Sequence, residues 1–330
     1  MLKQRMIAFY RRFQLFDKLI LGYLIFAPLL FAIMDWRLPV LQKMAVIHPL
    51  MILAILALIA LGAHLPRSLR WLRYVYPIAG FSFFFGMITK GVNLFLPFWL
   101  EPYLIRADIW LYGRHGWQFF SEHLNFVEVE VLAAAYWSYY VLFPMITLMH
   151  YARSVRTGNS LAPGQTFDSV MSRLAISLFS CYFLFMVLPA RGPHHVFHLS
   201  DQHLFTGGFF WHFILMIQGQ AKVVGAAFPS AHVAAAWTLY FTLRHDFPKT
   251  FWSLLPLLLA LTVSVFALQY HFTMDAVAGL LLPILIEAVW CRFFVKRRKN
   301  DTTSPPNRDK MLLGKLPRRV TDFVHSSSHE

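Results

Sequence analysis

Two short polar islands interrupt the long apolar runs of this 330-residue chain. The first is Phe228-Pro229-Ser230-Ala231-His232, and the second is His271-Phe272-Thr273-Met274-Asp275, with Gly279 beyond it. Ionisable side chains at membrane depth are costly and mark function. Two histidines, a serine and a carboxylate placed where apolar runs begin or end point to phosphate chemistry at a membrane surface. His271 and Asp275 are spaced i, i+4, so on a helix they share a face and the carboxylate reaches the imidazole. An acceptor on one ring nitrogen fixes the tautomer and leaves the other nitrogen a better nucleophile. The plain alternative is a helix start that Asp275 caps. Pro229 and Ser230 suit the first turn of a helix, whose N–H groups and positive dipole end attract phosphate. There the alternative is an ordinary cap beside an interfacial histidine. Both islands falling on one side of a membrane favours the functional reading.

The elements that must position these residues are membrane helices. The chain is 58% hydrophobic and 14% charged, with a mean hydropathy of +0.52. The apolar residues fall in blocks of roughly 17–25, the length that crosses a bilayer. An all-α, polytopic membrane protein with about eight transmembrane helices follows. The spans are expected near 19–34, 46–63, 74–97, 129–151, 174–190, 229–243, 251–268 and 274–295. The patch 209–217 is too short to cross and is expected at the interface or as a re-entrant segment. The first apolar run reads as a retained anchor rather than a cleaved leader. Three regions follow: 1–73, a basic segment with two spans; 74–295, a catalytic membrane domain; and 296–330, a disordered basic tail in the cytoplasm.

The net charge of +14 does not indicate nucleic acid, because the basic residues sit between the apolar blocks. With the N-terminus in the cytoplasm, the connectors at Arg67–Arg73, Arg153–Arg173 and Arg244–Lys249 all fall inside with the tail. The connectors at Asp35, Arg106, Arg191 and His271 fall outside, so both islands face the same non-cytoplasmic side. Cys181 and Cys291 lie inside apolar runs and define neither a disulfide framework nor a thiolate metal site.

The two islands resemble the type-2 phosphatidic acid phosphatase (PAP2) superfamily, which carries a Pro-Ser-Gly-His block and a later His-x-x-x-Asp block. More narrowly they resemble the branch containing inositol phosphorylceramide synthase, with its Phe-Pro-Ser-x-His and His-Tyr-x-x-Asp-x-x-x-Gly. Asp108-Ile109-Trp110-Leu111-Tyr112-Gly113 echoes that branch's upstream Asp-x-x-Leu-Phe-Gly segment. The resemblance covers about residues 75–295. It departs from the fuller superfamily pattern twice. Arg191-Gly192-Pro193 lacks the preceding Lys, since position 184 is Leu, and Ser264 is followed by Val265 where an Arg is usual. The inositol-transferring branch relaxes the same positions.

The resemblance implies a PAP2-like helical core and a metal-free mechanism with no cofactor. His271 would attack phosphorus and form a phosphohistidine. Asp275 would orient it, and His232 would protonate the leaving oxygen and then deprotonate the acceptor. Ser230 and nearby backbone N–H groups would bind the nonbridging oxygens, with Arg191 as the cation and Lys222 and Lys90 as further phosphate-binding candidates. Asp108 is expected to fix local structure, and Glu287 to pair with a neighbouring helix.

The expected activity is transfer of a phosphoryl-alcohol head group, such as inositol phosphate, from a phospholipid to a lipid hydroxyl. A lipid phosphatase acting on a phosphomonoester or a polyprenyl diphosphate is the alternative. A transporter is a weaker one, because no pair of interrupted segments recurs in two halves of the chain. The partners are a phospholipid donor, a lipid acceptor and the bilayer. The expected location is a bacterial inner membrane, with the site facing the periplasm or exterior.

Overall fold

A computed structural model describes residues 12–62, 71–93, 96–157, 166–199, 204–220 and 223–295, with a few isolated positions outside them. Expectations for the tail 296–330, for Lys222 and for most of the first eleven residues lie outside the described residues. Among the described residues the fold is helical throughout, and the sole pairing of strand type is an isolated bridge between Ala190 and Ala226.

The helices in chain order are α1 (Leu15–Met34), α2 (Pro39–Leu61), α3 (Leu72–Ile88), α4 (Glu101–Tyr112), α5 (Gly116–His123) and α6 (Phe126–Thr157). They continue with α7 (Phe167–Val187), the single turn α8 (Pro193–Val196), α9 (Phe209–Gln220), α10 (Ala231–Asp246), α11 (Pro248–Ala267) and α12 (Thr273–Trp290). Their starts follow local chemistry. Asn125 Oδ1 accepts from Val127 and Glu128 N–H, and the Glu128 carboxylate accepts from Asn125 N–H, which closes a capping box on α6. Thr166 accepts from Ser169 N–H to cap α7. Pro39 and Pro248 open α2 and α11, where a missing N–H carries no penalty. Gly113, at φ 71°, ends α4 in the left-handed conformation that favours glycine.

Six of these helices, α1, α2, α6, α7, α11 and α12, are long and apolar enough to cross a membrane. The two expected spans outside this set are α3, with 17 residues, and α10, with 16. A 3-10 turn from Thr89 to Gly91 extends α3. The length of α10 is set by the Ser230 cap at its start and by Pro248, which opens α11 after its end. The helix lies against α6, α7, α11 and α12, and ten of its residues, Val233 to Leu243 with one gap, are buried. A helix that is apolar all round is covered by protein on every side. The connector between the third and fourth expected spans holds α4 and α5, both too short to register as spans.

Buried and half-buried ion pairs tie the bundle together. Arg73 Nη1 donates to Asp17 Oδ1 at 2.9 Å, Tyr76 donates to the same carboxylate at 2.7 Å, and α1 is thereby joined to α3. Arg173 Nη1 donates to Glu287 Oε2 at 2.6 Å, so Glu287 pairs with the neighbouring α7. Such pairing is how charge is tolerated between membrane helices. The patch at 209–217 forms α9, docked on α6. The Glu130 carboxylate of α6 accepts the N–H groups of Gly208, Phe210 and Trp211 at its start.

Candidate active site

The site forms where α10 and α12 begin. Gly279 lets the two helices meet, because a Cβ there would lie 2.6 Å from Ser230 O and 3.1 Å from Val233 Cβ. The Ser230 N–H donates to Asp275 O at 2.9 Å, joining the two N-termini directly. Ser230 is the N-cap of α10, and its Oγ accepts from Val233 N–H at 3.5 Å.

His271 sits in the connector between α11 and α12, anchored by its N–H to Val265 O at 2.9 Å. Its Nδ1 lies 2.9 Å from Ala227 O. A carbonyl can only accept, so Nδ1 carries the proton and Nε2 carries the lone pair. That Nε2 stands 3.3 Å from Ser230 Oγ, and His271 lines a cavity. Burial lowers the His271 pKa to about 4, against a smaller upward effect of the Ala227 carbonyl, which leaves the ring neutral and nucleophilic near neutrality. Asp275 Oδ2 lies 3.5 Å from Nδ1. The pair therefore meets across the start of α12 rather than along a helix face, and the carbonyl is the closer acceptor. The same Oδ2 accepts Phe272 N–H at 2.8 Å, so Asp275 also caps α12.

His232, in the first turn of α10, is half-buried, with its ring centroid 6.3 Å from that of His271. His271, Asp275, Ser230 and His232 thus converge at one locus, and the first two residues of α10, Ala231 and His232, adjoin the cavity with their leading amides.

The model of the PAP2 superfamily matches residues 102–289, more than half of the chain. The chain belongs to the PAP2 superfamily. Membership makes it an enzyme of the lipid phosphatase or phosphotransferase kind and fits lipid substrates in a bilayer. No curated protein and no solved structure matches the chain.

The cations of this PAP2 chain are less gathered than its histidines. Arg191 adjoins the site through Gly192, where a Cβ would lie 2.5 Å from Tyr270 O, next to His271. The Arg191 N–H and Nε both donate to Glu101 Oε1, at 2.7 and 2.8 Å, and the guanidinium stacks 4.6 Å from the Trp99 ring. Lys90 is exposed in the turn that ends α3 and does not line the cavity. Lys222 lies outside the described residues. His194 and His195 do line the cavity. Among the described residues no three His, Cys, Asp or Glu side chains form a group able to hold a metal ion.

Asp108 and Tyr112 hold the second island from outside. Asp108 Oδ1 accepts Thr273 N–H at 3.2 Å, and the Tyr112 hydroxyl bonds the Thr273 hydroxyl at 2.9 Å. Burial raises the Asp108 carboxyl to about 6. A fixing role for this residue is what the sequence suggests. The importance of Glu101 is not legible there, because its partner lies ninety positions away.

The cavity encloses about 1260 Å³. It runs from Ala231, His232 and His271 between α3, α6, α7 and α9, along apolar walls such as Phe81, Phe143, Leu178 and Leu215. Tyr136, Tyr139 and Tyr140 of α6 line it next to His232. The sequence shows these tyrosines as one helix face but not what that face meets.

Proposed function

We propose that this PAP2 protein transfers a phosphoryl-alcohol head group, inositol phosphate being the leading candidate, from a phospholipid to a lipid hydroxyl through a phosphohistidine on His271. The observation that carries the reading is the placement of His271. Its Nδ1 is held by the Ala227 carbonyl, with Asp275 behind it, while Nε2 meets Ser230 Oγ and His271 lines the cavity. A buried, tautomer-fixed imidazole is what nucleophilic attack on phosphorus requires.

In the first half-reaction the P–N bond to Nε2 forms and the P–O bond to diacylglycerol breaks. His232 gives its proton to the departing oxygen. In the second, the acceptor hydroxyl attacks phosphorus, its proton returns to His232, and the P–N bond breaks. Ser230, the leading amides of α10 and Arg191 hold the nonbridging oxygens, and Glu101 aims Arg191 by engaging its Nε edge. Asp275 orients His271 and offsets the charge it acquires.

Transfer rather than hydrolysis is favoured by the apolar walls of the cavity, which suit the chains of a lipid acceptor. The branch-level motifs, Phe228 to His232, His271 to Gly279 and Asp108 to Gly113, point the same way, as do Leu184 and Val265 at the two departures. We place the termini in the cytoplasm and the site on the periplasmic or outer side of a bacterial inner membrane. Arg153, Arg156, Arg244 and Lys249 cluster around the far ends of α6 and α10, as the excess of basic residues in cytoplasmic loops requires.

The test uses purified protein in liposomes containing phosphatidylinositol, phosphatidylethanolamine, ceramide, diacylglycerol and a polyprenyl diphosphate, with products read by mass spectrometry. A new phosphoryl-alcohol lipid with a matching product alcohol, lost in His271→Ala, is the expected result. Free phosphate and a dephosphorylated lipid would make the protein a phosphatase. Unchanged turnover in His271→Ala would end the phosphohistidine mechanism.

A further inference from the structure

The two histidines of the site are held in opposite ways. His271 has a carbonyl, a carboxylate and a hydroxyl around its ring. His232 meets aromatic rings instead: Tyr139 with centroids 4.6 Å apart and planes at 62°, Tyr136 at 5.4 Å, and Tyr140 at 6.4 Å. Its ring makes no hydrogen bond among the described residues, and it lines the cavity. The other titratable group facing it is His271, at 6.3 Å.

A group that carries a proton between two half-reactions must alternate between neutral imidazole and imidazolium. The usual aid is a carboxylate on the far nitrogen, and among the described residues none stands there. The face of an electron-rich ring within about 6 Å of a cation also attracts it, and the attraction grows when water is excluded. Positions 136, 139 and 140 are i, i+3 and i+4, so one face of α6 presents all three rings together.

We propose that Tyr139 and Tyr136, with Tyr140 behind them, are positioning residues that cage His232 and stabilise its imidazolium while it holds the proton. The inference rests on the proton-shuttling role given to His232 above. The three rings also line the cavity, so the effect on the cation is read in kcat with ring shape held constant.

Removing a tyrosine changes shape as well as charge, so the test changes ring electrons at constant shape. Tyr139→Phe serves as the reference. Phenylalanines bearing one, three and five fluorines then replace residue 139, each step weakening the negative ring face. Rates are measured in the same five-lipid liposomes over a range of donor mole fraction. The expected result is a stepwise fall in kcat, about tenfold across the series, with KM unchanged. A flat kcat, or a change confined to KM or thermal stability, overturns the proposal, because packing alone would behave so. If the variants at 139 fail to fold, the same series at Tyr136 decides the question by the same criteria. His271→Ala is run in parallel. Activity surviving there refutes the phosphohistidine reading itself, whereas an inactive His271→Ala with a flat fluorine series refutes the cage alone.

Discussion

Adding one methyl group at Gly279 is expected to inactivate the enzyme while leaving it folded. A Cβ there would lie 2.6 Å from Ser230 O, 3.1 Å from Val233 Cβ and 3.3 Å from Ser230 Cβ. Two of the three obstacles belong to the N-cap of α10, and the nearest is backbone, so no flexible side chain can yield. Ordinary contact, at 3.4 Å or more, requires the start of α10 to move from α12 by about 0.8 Å. Overpacking of this kind costs about 1–3 kcal/mol of stability. Its catalytic effect is larger. The same movement stretches the Ser230 Oγ to His271 Nε2 contact, now 3.3 Å, and the Ser230 N–H to Asp275 O bond, now 2.9 Å. A misplacement near 1 Å can lower turnover about 100-fold. The assay pairs lipid turnover in liposomes with a thermal melt of Gly279→Ala. Gly22→Ala on α1, where nothing lies within 4 Å of the added carbon, is the control, and there a gain of about 0.4–1 kcal/mol is expected. Wild-type turnover in Gly279→Ala would mean that the contact between the two helix starts does not position the site.

Arg191→Lys should lose about tenfold in kcat/KM, because an ammonium cannot reproduce both the Nε bond to Glu101 and the stacking on Trp99; steady-state kinetics on the lipid donor decide this. Because burial lowers His271 to about 4, its protonation should not limit activity from pH 5 to 7, and a kcat/KM profile for the lipid donor with an acid limb at the ordinary imidazole value would contradict the neutral-nucleophile assignment. Burial raises Asp108 to about 6 from 3.8, so the folded state holds this proton more tightly than the unfolded chain. Its stabilising contribution is then complete below pH 4 and fades as pH rises through 6, by up to about 3 kcal/mol, and Asp108→Asn should abolish that part of the pH dependence in thermal melts. Arg173→Met should destabilise by about 3 kcal/mol by stranding Glu287, with most of the loss recovered in the double variant with Glu287→Leu, as a thermal double-mutant cycle would show.

How far the sequence reveals this structure depends on whether a residue's type carries the information. Apolar runs betray the long helices, although α6 runs from Phe126 to Thr157, past the expected 129–151 at both ends, and at its start because Asn125 and Glu128 cap it in polar sequence. The two islands are legible because His, Asp and Ser are conspicuous between apolar runs. The main acceptor for His271 is not, because it is the backbone carbonyl of Ala227, and a carbonyl belongs to every residue alike. Arg191 stands out as a cation, whereas Glu101 becomes its partner only through the packing of α4 beside the end of α7. The spacing of Tyr136, Tyr139 and Tyr140 places them on one face, but only the approach of α10 turns that face toward His232.

The two departures from the superfamily pattern leave a question of charge, and the pairing of helix starts gives it an answer. Leu184 and Val265 cannot neutralise a phosphate, and Arg191 already shares its Nε edge with Glu101. Two helix N-termini meet at the site, each carrying roughly half a positive charge. That of α12 is answered by Asp275, whose carboxylate takes Phe272 N–H. That of α10 has no acidic residue in its first turn, only the neutral cap of Ser230. The uncompensated positive end is therefore the one beside His271 Nε2. With 16 residues α10 rises about 24 Å, less than the roughly 30 Å of a bilayer's hydrocarbon core, and four helices cover it. The terminus is buried at Ser230, so its dipole acts on a phosphate more strongly than it would at an exposed surface. Under the mechanism proposed above, the backbone of α10 supplies positive charge where the usual lysine and arginine are absent, and placing an acidic residue at Ala231 would oppose it directly.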